Sequence, residues 1–368
     1  MYGAAVVRRL RERFPDATLF GLGGEGMRAA GVELLGDISR TAVVGPFEAI
    51  GHFGSLFQLF RKLTARIETK PRPAAAILID FPDFNMRLAR RARAAGVPVI
   101  YYVSPQIWAW RSGRIRELKQ IVDKMLVILP FEERIYRDAG IDVEFVGHPL
   151  VDTVRARLAR NVFLGKYKLD PSRPIIALLP GSRRKELRYI LPTLCRAADR
   201  ILERRPESQF VLPVAPGLPR GLVQKLLGAC PISIVVGDTY EAIRYSRVAI
   251  VASGTATLET ALLGTPEVIV YRIGRATWWV GKALLRVRMF GLVNIILGEE
   301  IVPELFQDRM TPENVARETL RLMDDVWAQA RIRNHYERLR RQLGGGDVAA
   351  RVADVVAGMA GSGGAANP

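Results

Sequence analysis

The chain of 368 residues is poor in thiols and imidazoles, with two cysteines, Cys195 and Cys230, and three histidines, His52, His148 and His335. Two thiols cannot build a disulfide framework or a four-thiolate zinc site. The histidines are scattered and not paired at ligand spacing, so no metal ligands are expected. No run reaches about 18 uninterrupted apolar residues, so no membrane-spanning helix is expected. The N-terminus has neither the short apolar core nor the small-residue cleavage site of a secretory signal, which makes the cytoplasm the expected compartment. Acidic residues are few beside basic ones, 37 Asp and Glu against 54 Lys and Arg, for a net charge of +17. Such a balance draws a protein towards nucleic acid, an acidic membrane surface or a phosphorylated substrate. It also fits arginine-rich solvated helix faces with no partner at all. No nucleic-acid module is recognisable, so no nucleic-acid partner is expected. Apolar residues are plentiful at 49%, with 25% charged, which excludes wholesale disorder, and the length suits about two domains.

From residue 18 onward, short apolar runs alternate with helical patterns. Candidate strands are 18–22, 75–80, 97–103, 124–128 and 143–146, with amphipathic stretches such as 84–95 and 130–139 between them. Continuous apolar strands separated by helices imply a parallel sheet covered on both faces. The pattern breaks across 147–174, a charged segment with one helix-like stretch at 152–161. A second series follows at 175–179, 209–213, 232–235, 248–251 and 267–271. The expected fold class is α/β, with two doubly wound, Rossmann-like domains at 1–150 and 174–310 joined by a linker at 151–173. Residues 311–343 read as C-terminal helices, and the Gly-, Ala- and Ser-rich 344–368 as a partly flexible tail. Ligands of open parallel sheets sit outside the carboxyl ends of strands, often where strand order switches, and two such domains facing each other imply a cleft. The informative residues should therefore lie just after strands.

Three loops fit that expectation. In Ile79-Asp80-Phe81-Pro82-Asp83-Phe84-Asn85, two carboxylates meet at a strand end with Pro82 stiffening the turn. Asp83 reads either as a helix cap or as a general base that takes a proton from an attacking hydroxyl. In Leu179-Pro180-Gly181-Ser182-Arg183-Arg184-Lys185-Glu186, a buried strand enters a turn and a helix that opens on cations. Backbone N–H groups with guanidinium forks suit a diphosphate, whereas a solvated basic helix start would oppose the helix dipole. The spacing is not that of a P-loop. In Ala252-Ser253-Gly254-Thr255-Ala256-Thr257-Leu258-Glu259, small residues let a ligand approach the backbone, and Glu259 could accept bonds from ribose hydroxyls. Two anion-ready loops make the second half the expected nucleotide domain. No Asp-x-Asp metal clamp accompanies them, so Arg183 and helix dipoles must neutralise a diphosphate.

Two further stretches point to a surface. Residues 47–67 carry Phe47, Ile50, Phe53, Leu56, Phe57, Leu59, Phe60 and Leu63, with Arg61, Lys62 and Arg66 beside them. Residues 272–292 hold Trp278, Trp279, Leu284, Leu285, Met289 and Phe290 with five cations and no acidic residue. Core helices explain such patterns, and so does a helix lying at an anionic bilayer interface.

Taken in order, IDFPDFN (79–85), YVSPQIWAWR (102–111), FVGHPLVD (145–152), LLPGSRRKE (178–186), ASGTATLE (252–259) and EIVPELFQD (300–308) resemble lipid-A-disaccharide synthase from about Tyr2 to Asp325. The resemblance implies an inverting glycosyltransferase of the two-Rossmann GT-B fold, peripheral on the cytoplasmic face of the inner membrane. Its substrates would be UDP-2,3-diacylglucosamine and 2,3-diacylglucosamine 1-phosphate, and its products the β-1′,6-linked disaccharide phosphate and UDP. Residue by residue, it implies Asp83 as catalytic base and Arg183, with Ser182 in the same loop, on the donor diphosphate. It also implies Ser253, Gly254, Thr255 and Glu259 as the nucleotide loop and Asn294 in the sugar-nucleotide site. Phe47, Ile50, Phe53, Leu56, Phe57 and Phe60 would face the anionic membrane, the family suggests a homodimer, and no cofactor is called for. Two rivals stay open: another UDP-sugar GT-B enzyme, such as a UDP-N-acetylglucosamine transferase or epimerase, and a non-catalytic protein that binds acidic membranes.

The resemblance breaks at the N-terminus. The family opens with a strand and a Gly-Glu-Ala-Ser-Gly-Asp loop before a helix like 2–14, whereas Met1 stands where that loop would end. Val6, Val7, Leu10 and Phe14 begin a helix with no strand before it. The expectation is a start codon further upstream, or else a weakened first domain with reduced activity.

Overall fold

The computed structural model describes residues 2–37, 53–105, 113–215, 217–274 and 289–364. They form two compact units, Met1–Asp152 with Leu343–Pro368, and Thr153–Gln342.

In the first unit, β1 (Phe20–Gly23) pairs in parallel with β2 (Glu33–Asp37). A separate parallel sheet has the order β3 (Ala76–Ile79), β4 (Val99–Tyr102), β5 (Lys124–Val127), β6 (Val143–Phe145). All four residues of β4 are buried, as a strand covered on both faces requires. Leu63 and Ile67 of the Phe53–Glu68 helix and Ala89 and Ala92 of the Pro82–Ala94 helix join Leu78, Tyr101 and Met125 in one core.

The chain end corrects an expectation. Rather than a partly flexible tail, residues from Val348 form the helix Val348–Gly364, which packs on the first helix, Tyr2–Arg13. Its small-residue composition reads as loose, yet Val348, Val352, Ala353 and Val356 recur at helical spacing and are buried. Their counterparts on the first helix are Val6, Val7 and Leu10, and Arg9 and Arg13 pair with Asp347 and Asp354.

The second unit is one six-stranded parallel sheet of order β12-β11-β10-β7-β8-β9. The strands are β7 (Ile175–Leu179), β8 (Gln209–Val214), β9 (Ile232–Val236), β10 (Val248–Ala252), β11 (Glu267–Tyr271) and β12 (Glu304–Phe306). From central β7 the chain winds outward through β8 and β9, then crosses back to lay β10 on the other side of β7. The switch point lies between β7 and β10, both buried along their whole length.

β2 and β12 add to the strands read from the sequence; one is only half-buried or exposed along its length and the other has three residues. The helix expected at 152–161 lies instead at Arg160–Tyr167. The amides of Arg157 and Leu158 donate to the Glu241 carboxylate at 2.6 and 3.0 Å, which holds that stretch out of a helix. Among the described residues no helix is long and apolar enough to cross a membrane.

Candidate active site

In the second unit, the two loops flanking the switch point are the two anion-ready loops of the sequence, and they differ in a way the sequence did not disclose. After β7, Gly181 adopts φ +108, and a Cβ there would fall 2.4 Å from Glu186 Oε2. The two backbone amides just before the Arg184–Arg204 helix are already engaged. The backbone N–H groups of Ser182 and Arg183 donate to Glu186 Oε2 at 3.0 and 3.2 Å, and Arg183 Nη1 donates to Glu186 Oε1 at 3.2 Å. Of the amides expected to suit a diphosphate, these two are held by an acidic side chain of the helix's first turn. What the loop offers outward is the Arg183 guanidinium, 76% exposed. A carboxylate with 15% exposure holds it from behind.

After β10 the arrangement is open. Gly254 takes φ 150 and ψ −161, a region reserved almost wholly for glycine, and among the described residues nothing lies within 4 Å of where its Cβ would be. Among the described residues the helix Thr255–Leu262 that follows has no side-chain cap, and its positive dipole end lies beside exposed Thr255. The Ser253 hydroxyl donates to the Phe290 carbonyl at 3.0 Å and tethers the segment before the helix Leu292–Leu297. Glu259 lies on the next turn, where burial raises its carboxyl above the ordinary range and the Tyr240 hydroxyl, donating at 3.2 Å, partly offsets that. The sequence reading passed over Tyr240, because one aromatic after a strand carries no distinctive signal.

Asn294 is corrected. It is fully buried and its amide is saturated: Nδ2 donates to the Val302 carbonyl at 2.9 Å and Glu304 Oε1 at 2.8 Å, and Oδ1 accepts from Ile301 and Val302 amides at 2.9 and 3.2 Å. It braces the 291–304 segment and has no group left for a ligand. Glu304 completes the brace by accepting the Phe290 and Gly291 amides, each at 2.9 Å.

In the first unit, the loop after β3 holds two consecutive left-handed residues, Asp80 at φ 50 and Phe81 at φ 46, which is strained backbone for non-glycine side chains. The Asp80 carbonyl is clamped from two sides. The Tyr101 hydroxyl donates to it at 2.8 Å and Asn85 Nδ2 at 2.7 Å, with a second Asn85 bond to the Ile79 carbonyl at 3.2 Å. Burial keeps Tyr101 protonated far above the usual phenol range. The clamp turns the chain so that Asp83 enters the first turn of the Pro82–Ala94 helix. The capping position belongs to Phe81, so Asp83 is not the cap. Its carboxylate is 75% exposed, and Arg114 Nη2 donates to Oδ1 at 2.6 Å.

An aromatic run adjoins this loop. Phe81, 42% exposed, stacks on Phe84 at 5.4 Å, and Phe84 meets Phe60 edge-on at 5.7 Å. Phe60, expected to face a membrane, packs on the Asp83 helix, and both rings are half-buried there. Leu56 is half-buried and Phe57 is 55% exposed. Phe47, Ile50, the Phe53 side chain, Trp278, Trp279, Leu284 and Leu285 lie outside the described residues. Among the described residues, no group of three His, Cys, Asp or Glu side chains could hold a metal ion.

A family model of lipid-A-disaccharide synthetase matches residues 1–356. A protein of Geobacter sulfurreducens named lipid-A-disaccharide synthase is 43% identical over 363 residues, covering 98% of this chain and 94% of that protein. Among solved structures, the UDP-GlcNAc 2-epimerase of Neisseria meningitidis bound to UDP-GlcNAc aligns with a TM-score of 0.60 at 12% identity, over 92% of this chain and 95% of that one. The glycotransferase of kitacinnamycin gives 0.62 at 16% identity, over 97% and 94%. At such identities the two structures speak for the fold alone, a GT-B pair of Rossmann-like units.

Proposed function

The chain belongs to the lipid-A-disaccharide synthetase family, and on that premise we propose that it transfers 2,3-diacylglucosamine from its UDP conjugate to 2,3-diacylglucosamine 1-phosphate. It is a glycosyltransferase of lipid A disaccharide synthesis; the acylated donor and acceptor are the part we infer. The acceptor 6-oxygen attacks the anomeric carbon and forms the new carbon–oxygen bond as the bond to the diphosphate oxygen breaks. Asp83 takes the hydroxyl proton, and the electron pair leaves with UDP.

The observation that carries the donor half is the pair of loops at the β7/β10 switch point. One supplies an outward guanidinium and the other an uncapped helix N-terminus. Charge developing on the leaving diphosphate is met by Arg183 and by the Thr255–Leu262 dipole. Glu259 suits ribose hydroxyls, which need an acceptor, and Tyr240 fixes its carboxylate. Ser253 sets the loop through Phe290, with its hydroxyl hydrogen already engaged.

For Asp83, the support is its exposure in the first helical turn while it is not the cap, together with the backbone clamp behind it. The membrane side of the proposal rests on the Phe53–Glu68 helix, where exposed Phe57 stands near exposed Arg61 and Lys62. Such a face suits the anionic cytoplasmic surface of the inner membrane.

Incubation with the two diacylated sugars, followed by mass spectrometry of the lipid and by UDP release, tests the reading. Disaccharide phosphate and UDP in equal amounts are expected, and Arg183→Ala should lower kcat/KM for the donor by roughly 10- to 100-fold, the worth of a charge-assisted contact. Turnover of UDP-GlcNAc alone with no lipid product would overturn the proposal in favour of an epimerase.

A further inference from the structure

The Arg184–Arg204 helix starts with its own carboxylate where a phosphate would be expected. Glu186 Oε2 accepts two backbone amides, and Oε1 holds the Arg183 guanidinium. Gly181 accommodates the arrangement, since any side chain there would collide with the Glu186 carboxylate. Glu186 is largely sheltered while Arg183 reaches into solvent, so the pair is built from the inside outward. From this we infer that Glu186 is a positioning residue for the donor, a resident anion that holds the 181–183 turn and keeps Arg183 in place until the diphosphate takes over its guanidinium.

The inference rests on the reading of Arg183 as the diphosphate ligand and goes beyond it in two respects. The phosphate meets the Arg183 side chain rather than the loop amides, because those amides stay on Glu186. Donor binding also works against a local opponent, since the diphosphate must draw the guanidinium from a carboxylate and sit beside that negative charge. The two functions of Glu186 therefore have opposite signs. Bracing the turn favours the donor, and the charge opposes it.

Glutamine separates them. Its carbonyl oxygen can accept both amides as Oε2 does, and it carries no charge. Alanine removes brace and charge together.

The test is the affinity of the full chain for UDP by calorimetry, with thermal unfolding recorded alongside. Glu186→Gln should tighten UDP binding by about 2- to 5-fold, the worth of a partly exposed ion pair. Glu186→Ala should weaken it by about 5- to 10-fold through a loosened turn, in the range of a lost helix cap. Equal weakening by both variants would overturn the inference, because the charge would then be required. Tightening by both would also overturn it, because the brace would contribute nothing, as would no change in either. Arg183→Ala runs beside them: if it leaves UDP binding intact, the donor reading of Arg183 itself fails, which is a different result.

Discussion

Arg114 Nη2 lies 2.6 Å from Asp83 Oδ1, and this ion pair links the first turn of one helix to the start of another. Asp83 is exposed and Arg114 much less so, so a fixed cation presents a carboxylate to solvent. An ion pair this exposed adds little to stability, roughly 0–1 kcal/mol. What it does supply is direction, since it fixes how the carboxylate is turned.

Asp83→Ala should therefore reduce transfer by about 100- to 10,000-fold, the range of a lost general base, with UDP affinity and unfolding temperature nearly unchanged. Arg114→Ala should cut kcat by about 10-fold and leave the donor KM alone. If Asp83→Ala retains half of the wild-type rate, the carboxylate is not the base.

Gly254→Ala isolates backbone from crowding. Among the described residues nothing crowds a methyl group there, yet its φ of 150 is hostile to any Cβ. The cost should be about 1–3 kcal/mol, seen as a lower denaturation midpoint together with a higher donor KM. An alanine variant as stable as wild type would show that the loop relaxes freely.

His148 is buried, and its neutral Nδ1 accepts the Leu150 amide at 3.2 Å. Burial lowers its pKa to about 4. Since the folded value lies below the unfolded one, near 6.5, the stability it confers is complete above that pH and is lost as pH falls towards 4. The loss should total about 2–4 kcal/mol across that window. Urea midpoints at pH 7.5 and 5 should converge less for wild type than for His148→Asn, whose Oδ1 accepts the same amide without titrating. Parallel pH profiles would disprove it.

Glu267 is fully buried on β11. Its Oε1 accepts the Tyr336 hydroxyl at 3.3 Å, and its Oε2 has no partner among the described residues. Burial is the main reason its pKa lies well above the usual carboxylate range, with Glu304 adding to it. A raised folded value means stability is lost as pH rises from about 4.3 through that value. Glu267→Gln should consequently stabilise the protein at pH 8 by about 1–3 kcal/mol and matter little near pH 4. A variant no more stable than wild type at pH 8 would refute this.

The runs IIALL and VAIVA announced buried parallel strands because both faces of such strands are covered, and the loops after them marked where a ligand would meet the sheet. Asp83 was also visible, as a carboxylate after a strand. What stayed hidden was which groups the protein keeps for itself. Nothing in the letters around Asn294 says that its amide is saturated, because its partners come from seven to ten residues downstream. Tyr101 reads only as strand core, although its hydroxyl shapes the Asp80 turn from the neighbouring strand. Glu186 was more accessible, since an acidic residue three places after a helix start is a known capping pattern. The cations around it point to phosphate instead.

The pairing of the helix Val348–Gly364 with Tyr2–Arg13 sets an order of events during synthesis. Thr153–Gln342 is one uninterrupted stretch and can finish folding on the ribosome as soon as it emerges. The helix Tyr2–Arg13 must wait for this partner until Val348, Val352 and Val356 have been translated. A nascent chain stalled before Val348 would leave the side of that helix which faces Val348–Gly364 open to chaperones and proteases.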